Sequence, residues 1–362
     1  MRHLFGLLFL TACVQAFDPE IDAVDVHPII IDALLTNENL NHEVRINRAQ
    51  DINESPFVPI DNADIYVEDN EGATYEYERI ERGRYASINA FAGVVGMSYR
   101  VVISIDGETY ESGFEEMRTP GDVDDVSAQF GIQSLQSETG EITNEPVVDI
   151  LASLTFDGTD ESYFRFDWEA TYEARTPSQG TGICWNERGE TPPSNLELKS
   201  CYISDRPNSF LRLFSTERVQ GNSINSIKIF SVNPNRRFQI RYSPEITTYS
   251  INKTAFDFWE IVDNQVNSGG SLFDIPPSPL LGNIVRTNPS GERVIGLFEV
   301  ASVTKRRAFL LASVVETELP HYNSDCTLPS GSQGETPPPR PFSCCECTFL
   351  ANSTDVKPSF WD

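Results

Sequence analysis

The sequence predicts a mainly β protein: an N-terminal immunoglobulin- or transthyretin-like β-sandwich, then a larger β-rich domain with one amphipathic helix. Three observations predict it. From Pro28 to Thr119, short runs rich in Val, Ile and Tyr are separated by turn residues, a spacing typical of sandwiches. At Arg118-Thr119-Pro120-Gly121-Asp122 the pattern breaks, and the strand candidates beyond it are longer and more aromatic. One stretch alone has clear helical periodicity, Lys253 to Asn267.

Taken in order, the chain opens with Arg2, an apolar run from Leu4 to Leu10, and Leu10-Thr11-Ala12-Cys13. This is the layout of a secretory signal, and its last four residues look like a lipobox, cut before a cysteine that then carries lipid. The run is about half of the roughly 20 residues that span a bilayer. The reading is therefore a signal over residues 1–12 and lipid attachment at Cys13, against the plainer alternative of a cleaved signal with a free cysteine. Residues 13–26, carrying Asp18, Glu20, Asp22 and Asp25, read as an acidic tether.

Residues 27–119 form the first domain. Its strand candidates are Ile29–Leu35, His42–Arg48, Ala63–Val67, Tyr75–Tyr77, Arg84–Ser87, Tyr99–Ile105 and Thr109–Ser112. Turns are expected at Asp69–Gly72 and Gly83, and Asp106-Gly107 is a hairpin signal. Residues 120–329 form the second domain, with strands expected at Val147–Phe156, Tyr163–Tyr172, Ser226–Val232, Arg237–Tyr242, Val294–Val300 and Lys305–Ser313. In the helix, Ala255, Phe258, Trp259, Val262 and Val266 share one face, Asn252 can cap the start and Gly269-Gly270 the end. Trp259 could serve as a glycan platform, but its spacing reads as core. Residues 330–362 are a Pro/Gly-rich, Cys-rich tail, expected to be fastened by disulfides that bring Lys357–Trp361 back onto the second domain.

Charge and cysteines bound the function. Against 27 basic side chains stand 54 acidic ones, a net −27 that repels phosphate backbones and excludes nucleic acid as a partner. Asp122–Asp125 and Asp157–Asp160 lack the spacing of a calcium loop and read as turns. Of 7 cysteines, removing Cys13 leaves an even set: Cys184, Cys201, Cys326, Cys344, Cys345 and Cys347. In an exported chain that set reads as disulfides. Chain proximity favours Cys184–Cys201, a closure that on the entropy model contributes roughly 3 kcal/mol. Cys326 then reaches one of the last three. The rival is zinc held by the C-x-x-C of Cys344 and Cys347 with His321 and Cys326.

Catalytic signatures are lacking. His27, His42 and His321 lie far apart, none in H-E-x-x-H, and there is no G-x-S-x-G elbow or Gly-rich phosphate loop. A carboxylate pair for glycoside cleavage stays open, because spacing in sequence does not fix the gap between acids. The expectation is a non-enzyme without cofactor or metal. Binding residues are expected on the loops Thr176–Pro193 and Leu272–Leu281, at Trp185, Phe273 and Asp274, with a packed connector as the alternative for each loop.

Several blocks carry a family resemblance: Cys13 with Phe17-Asp18-Pro19-Glu20, Gly93-Val94-Val95-Gly96 before Tyr99, Cys184-Trp185, and Ala255-Phe256-Asp257-Phe258-Trp259. Ser268–Asp274, Gly282-Asn283-Ile284, Gly296-Leu297-Phe298 and the ending from Cys347 through Lys357–Trp361 complete the set. Together they resemble the domain of unknown function 4249 family, outer-membrane lipoproteins of Bacteroidota, over nearly the full length. The resemblance implies a lipid-anchored outer-membrane protein facing the cell exterior, accessory to a TonB-dependent transporter. It supplies no catalytic residues. The alternative function is a glycan- or ligand-binding surface lipoprotein.

Overall fold

A computed structural model describes residues 27–50, 57–136, 141–175, 200–207, 210–267, 280, 282–288, 294–315 and 347–361. The chain is mainly β, and its one α-helix among the described residues lies where the periodicity places it.

The first module is built from β1 (Ile29–Thr36), β2 (Glu43–Ala49), β3 (Phe57–Pro59), β4 (Ala63–Asp69), β5 (Thr74–Glu81), β6 (Arg84–Ser87), β7 (Ser98–Ile105), β8 (Glu108–Ser112) and β9 (Glu115–Glu116). One sheet runs β1–β2–β6–β5, with β3 beside β2. The other runs β5–β4–β7–β8, with β9 beside β7. Strand β5 belongs to both, so the module closes along that side. Period-two alternation sends Ile29, Ile31, Ala33, Leu35, Val44 and Ile46 from one sheet, and Ile65, Val67, Val101, Ile103 and Ile105 from the other, into one shared core. The β7–β8 turn has φ of 50° at Asp106 and 84° at Gly107, the doubly positive geometry of a tight hairpin. At the β4–β5 turn the Asp69 carboxylate accepts from the Glu71 and Ala73 N–H groups (3.0 and 2.9 Å).

The second module comprises β10 (Asp122–Gln136), β11 (Ile142–Thr155), β12 (Tyr163–Arg175), β13 (Ser200–Asp205), β14 (Arg212–Ser215), β15 (Ser223–Val232) and β16 (Arg241–Ile251). Strands β10–β11–β15 make one sheet, and β12 is flanked by β16 on one edge and by β13 and β14 on the other. Val126, Val148, Ile150 and Leu154 meet Phe164, Phe166, Trp168 and Ile246 in a second core.

Three sequence expectations are corrected here. Asp122–Asp125 begins β10 instead of forming a turn, because Val123 and Val126 point inward while a register shift between Val123 and Asp125 turns the acids out. Arg236–Phe238 is a 3₁₀ turn capped by Asn235, whose side chain accepts from the Arg237 N–H, and the strand runs from Arg241 to Ile251. Pro244 hides that strand in the sequence. It fits because it lies between the rungs of β16's two partners on that edge, where its carbonyl accepts from the Ala308 N–H (3.0 Å).

The third correction organises the molecule. After α1 (Lys253–Asn267) and β17 (Ile284–Arg286), the two strands expected near residues 294–313 are mostly one, β18 (Val294–Arg307), followed by the short β19 (Leu310–Leu311). Residues Val294–Ala301 pair parallel with β1, and Ser302–Arg307 pair antiparallel with β16. One continuous strand therefore serves both modules. Phe298 and Val300 enter the first core, as does Ile284 of β17, which pairs with β8. The expected boundary at residues 118–122 falls between β9 and β10, and the first module takes these strands from beyond it. The crossing is bonded down: Ser250 Oγ accepts from the Gly121 N–H (2.8 Å), and Thr304 Oγ1 donates to the Gly121 carbonyl (2.7 Å).

Helix α1 covers the crossing point. Ala255 is buried, and Phe256, Phe258 and Trp259 pack with Leu34 of β1, Tyr163 of β12, Ile251 of β16 and Leu297 and Ala301 of β18. Val266, assigned to the same face, is 73 % exposed because the helix has run past the sheet by then. The Asn252 carbonyl accepts the first helical bond from Phe256, while its side-chain amide donates to Glu115 (2.8 Å). The end of the chain returns to the second module: β20 (Ser353–Thr354) pairs with β13, and Trp361 is buried against Tyr202 and Phe309.

Candidate functional site

Most sequence-derived site residues lie outside the described residues: Cys13, Cys184, Trp185, Phe273, Asp274, Cys326, Cys344 and Cys345. The two cysteines that are described bond to each other. Cys201 and Cys347 form a fully buried disulfide with Cα atoms 5.8 Å apart. This overturns the expected Cys184–Cys201 bridge, since a sulfur makes one disulfide. Proximity along the chain misleads because β13 is an edge strand, and its neighbour in space is β20, which follows Cys347.

Residues of both modules converge in a groove of about 520 Å³ where the modules meet. Each wall follows from strand alternation. On β1 and β18 the residues opposite the core-facing set point outward, which places Asp32 and Glu299 on this face. Strand β12 supplies Arg165, β16 supplies Tyr249 and α1 supplies Trp259. The centre is a buried ion pair: Arg165 donates to Glu299 from one terminal nitrogen (2.6 Å) and from Nε (3.3 Å). The Trp259 indole N–H donates to the same carboxylate. The guanidinium lies 4.0 Å from the Tyr249 ring centroid and 5.3 Å from that of Trp259. Burial works against the charge on Arg165, and the Glu299 carboxylate outweighs it, so its pKa is raised. Pairing matters because a buried charge stripped of its partner costs about 3–5 kcal/mol.

Asp32 sits at the mouth. It stands opposite Arg45 on β2, yet among the described residues its carboxylate has no hydrogen bond and no ion pair within 4.0 Å. Its area is open to solvent, but protein atoms crowd the carboxyl, and that desolvation raises its pKa; the charges of Arg45 and Arg165 oppose the rise and Glu299 adds to it. An unpaired acid beside two aromatic rings can accept hydrogen bonds from a ligand that stacks an apolar face on Trp259. Trp259, read from the sequence as core, is half-buried and serves both core and groove. Sequence reasoning missed Arg165 and Glu299. The signal for Glu299 was a lone acid within the apolar run Val294–Val303.

A second, more polar cleft of about 660 Å³ lies beyond the helix start. There the Tyr163 hydroxyl faces Glu161 (2.9 Å) and Glu217 (3.2 Å), and desolvation together with the two carboxylates raises its pKa. Among the described residues no group of three or more His, Cys, Asp or Glu is placed to hold a metal ion.

The motif blocks that carry no chemistry turn out to build the junction. Gly282 has φ of +71°, and a Cβ there would meet the Gly296 carbonyl oxygen at 1.7 Å. Asn283 then brackets Phe298, accepting from its N–H (2.8 Å) and donating to its carbonyl (2.9 Å). Glu115 receives amides from both Asn252 and Asn283, and burial raises its pKa against those two bonds.

A family model described as "Domain of unknown function (DUF4249)" matches residues 14–307. No curated protein matches the chain.

Proposed function

Since the chain belongs to the domain of unknown function 4249 family, we propose that it is an exported outer-membrane lipoprotein, anchored through Cys13 and facing the cell exterior. In this reading it docks onto a membrane protein, a TonB-dependent transporter, as an accessory. The observation that carries the reading is strand β18, which runs unbroken through both modules. The two modules are thereby one rigid scaffold, the arrangement on which recognition loops are held in fixed relation. The buried Cys201–Cys347 bond supports export, because such bonds persist in oxidising compartments. Lipid anchoring would raise the effective concentration near membrane partners.

The groove favours a second reading, a glycan- or ligand-binding lipoprotein, through the unpaired Asp32 beside Tyr249 and Trp259. Crosslinking in intact cells followed by mass spectrometry separates the two. The docking reading expects adducts to an outer-membrane transporter, together with radiolabelled palmitate on the wild type and release from membranes in Cys13→Ser. Adducts confined to the protein itself, with purified protein binding a polysaccharide, would replace docking by ligand binding.

A further inference from the structure

The hairpin of β10 and β11 is longer than the sheet it belongs to. Strand β15 pairs with β11 only as far as Val148, whereas β10 and β11 continue for six further rungs, from Gly131↔Val147 to Gln136↔Ile142. At about 3.3 Å per residue this is an arm of roughly 20 Å. It is solvated on both faces: Ile132 is 70 % exposed and Ile142 is 66 % exposed, and Gln133, Ser134 and Thr143–Pro146 are exposed as well. A two-stranded ribbon in water is marginal by itself, so its extension past the core needs another reason.

Its composition supplies one. Folded proteins protect open strand edges with charges and prolines. On this arm β11 has Glu145 and Pro146, but β10 runs from Ser127 to Gln136 with neither a charge nor a proline, in a chain that is 22 % charged. Among the described residues β10 pairs with β11 alone. Its outer edge therefore presents a row of backbone N–H and C=O groups, and the binder that matches such a row is another extended backbone. Alternation also sets side-chain chemistry. Val126, Ala128 and Phe130 face the core, so Ile132 continues that face into solvent, and its cross-strand neighbour Pro146 and the tip residue Ile142 share it.

We infer that the outer edge of β10 over Phe130–Ser134 takes an extended segment of a partner protein as an added strand, one whose alternate residues are apolar and pack beside Ile132. This rests on the docking reading and names the surface that does it. A second copy of this chain is the less suitable occupant. A copy would bring a further net −27 against a surface that is already strongly acidic.

The test uses the full-length protein in intact cells, comparing wild type with Ile132→Lys, and quantifies the crosslinked partner identified by its linked peptide. Position 132 is outside the core, so the variant should melt within a few degrees of wild type. The expected result is a loss of partner adduct of about tenfold or more. In the purified complex, amide exchange over Phe130–Ser134 should slow on alternate residues, as an added strand requires and a side-chain contact does not. If wild type recovers the transporter and Ile132→Lys recovers it equally, the arm is not the docking edge while docking itself stands. If wild type recovers no partner, both fall. A dimer in sedimentation of wild type that Ile132→Lys abolishes would make the occupant a second copy and overturn the inference.

Discussion

His42 ties local chemistry to stability most directly. Its ring is buried, Nε2 lies 2.9 Å from the Phe91 carbonyl, and the ring stands edge-on to that of Phe91 with centroids 4.7 Å apart. A carbonyl only accepts, so Nε2 carries the proton of a neutral imidazole. Burial lowers its pKa, partly offset by that hydrogen bond. The unfolded chain then binds a proton that the folded chain refuses, between the folded pKa and about 6.5. Stability from His42 is therefore full above about pH 6.5 and falls as pH drops through that window, by at most about 1.4 kcal/mol per pH unit. Denaturation of His42→Gln at pH 7.5, 6.0 and 5.0 should give a flatter profile than wild type. Equal slopes would remove His42 as the cause.

At the scale of elements, the Cys201–Cys347 bond holds an edge strand and the chain's end together. It closes a separation of 146 residues, for which the chain-entropy model gives about 5 kcal/mol, with about 2–5 typical of native bridges. Besides that bond, residues 347–361 are held by the two-residue pairing of β20, by Leu350 in the second core, by the Ser204 N–H donating to the Asn352 carbonyl (3.0 Å) and by the packing of Trp361, over whose ring Arg241 sits at 4.7 Å. Replacing both cysteines by alanine should therefore cost about 2–5 kcal/mol in urea denaturation and open residues 347–361 to protease before the rest of the chain. An unchanged midpoint with a protected tail would show that packing alone holds the end.

At the scale of the molecule, the first module depends on chain that begins at Ile284, 168 residues after β9 ends at Glu116. Ile284, Phe298 and Val300, each no more than 2 % exposed, complete its core from β17 and β18. A fragment of residues 27–119 would leave β1 as an open edge and those three places empty. Losing one large buried side chain costs about 2–5 kcal/mol, a large share of the stability of a domain this size. The fragment should therefore show poorly dispersed amide resonances and bind a hydrophobic dye. A sharp, well-dispersed spectrum would mean that β18 is an accessory to the first module rather than part of it.

By itself the sequence determined whatever depends on neighbours along the chain. Runs rich in β-branched and aromatic residues placed Ile29–Leu35 and Tyr99–Ile105 in strands, the Asp-Gly pair placed a tight turn at residues 106 and 107, and apolar spacing placed a helix over Lys253–Asn267, because each is a local choice of backbone angles. Family motifs such as Gly282-Asn283 were legible as motifs but not as the clasp they form, since their partner, Gly296 to Phe298, is another segment. Tertiary structure alone decided that Cys201 meets Cys347, that β18 serves two modules, and that Asp32, Arg165, Tyr249 and Trp259 line one groove, with Arg165 and Trp259 both bonded to the buried Glu299. Those outcomes rest on which strand edges pair. Edge pairing is set by the total apolar area that whole sheets bury against each other, a quantity no local window of sequence contains.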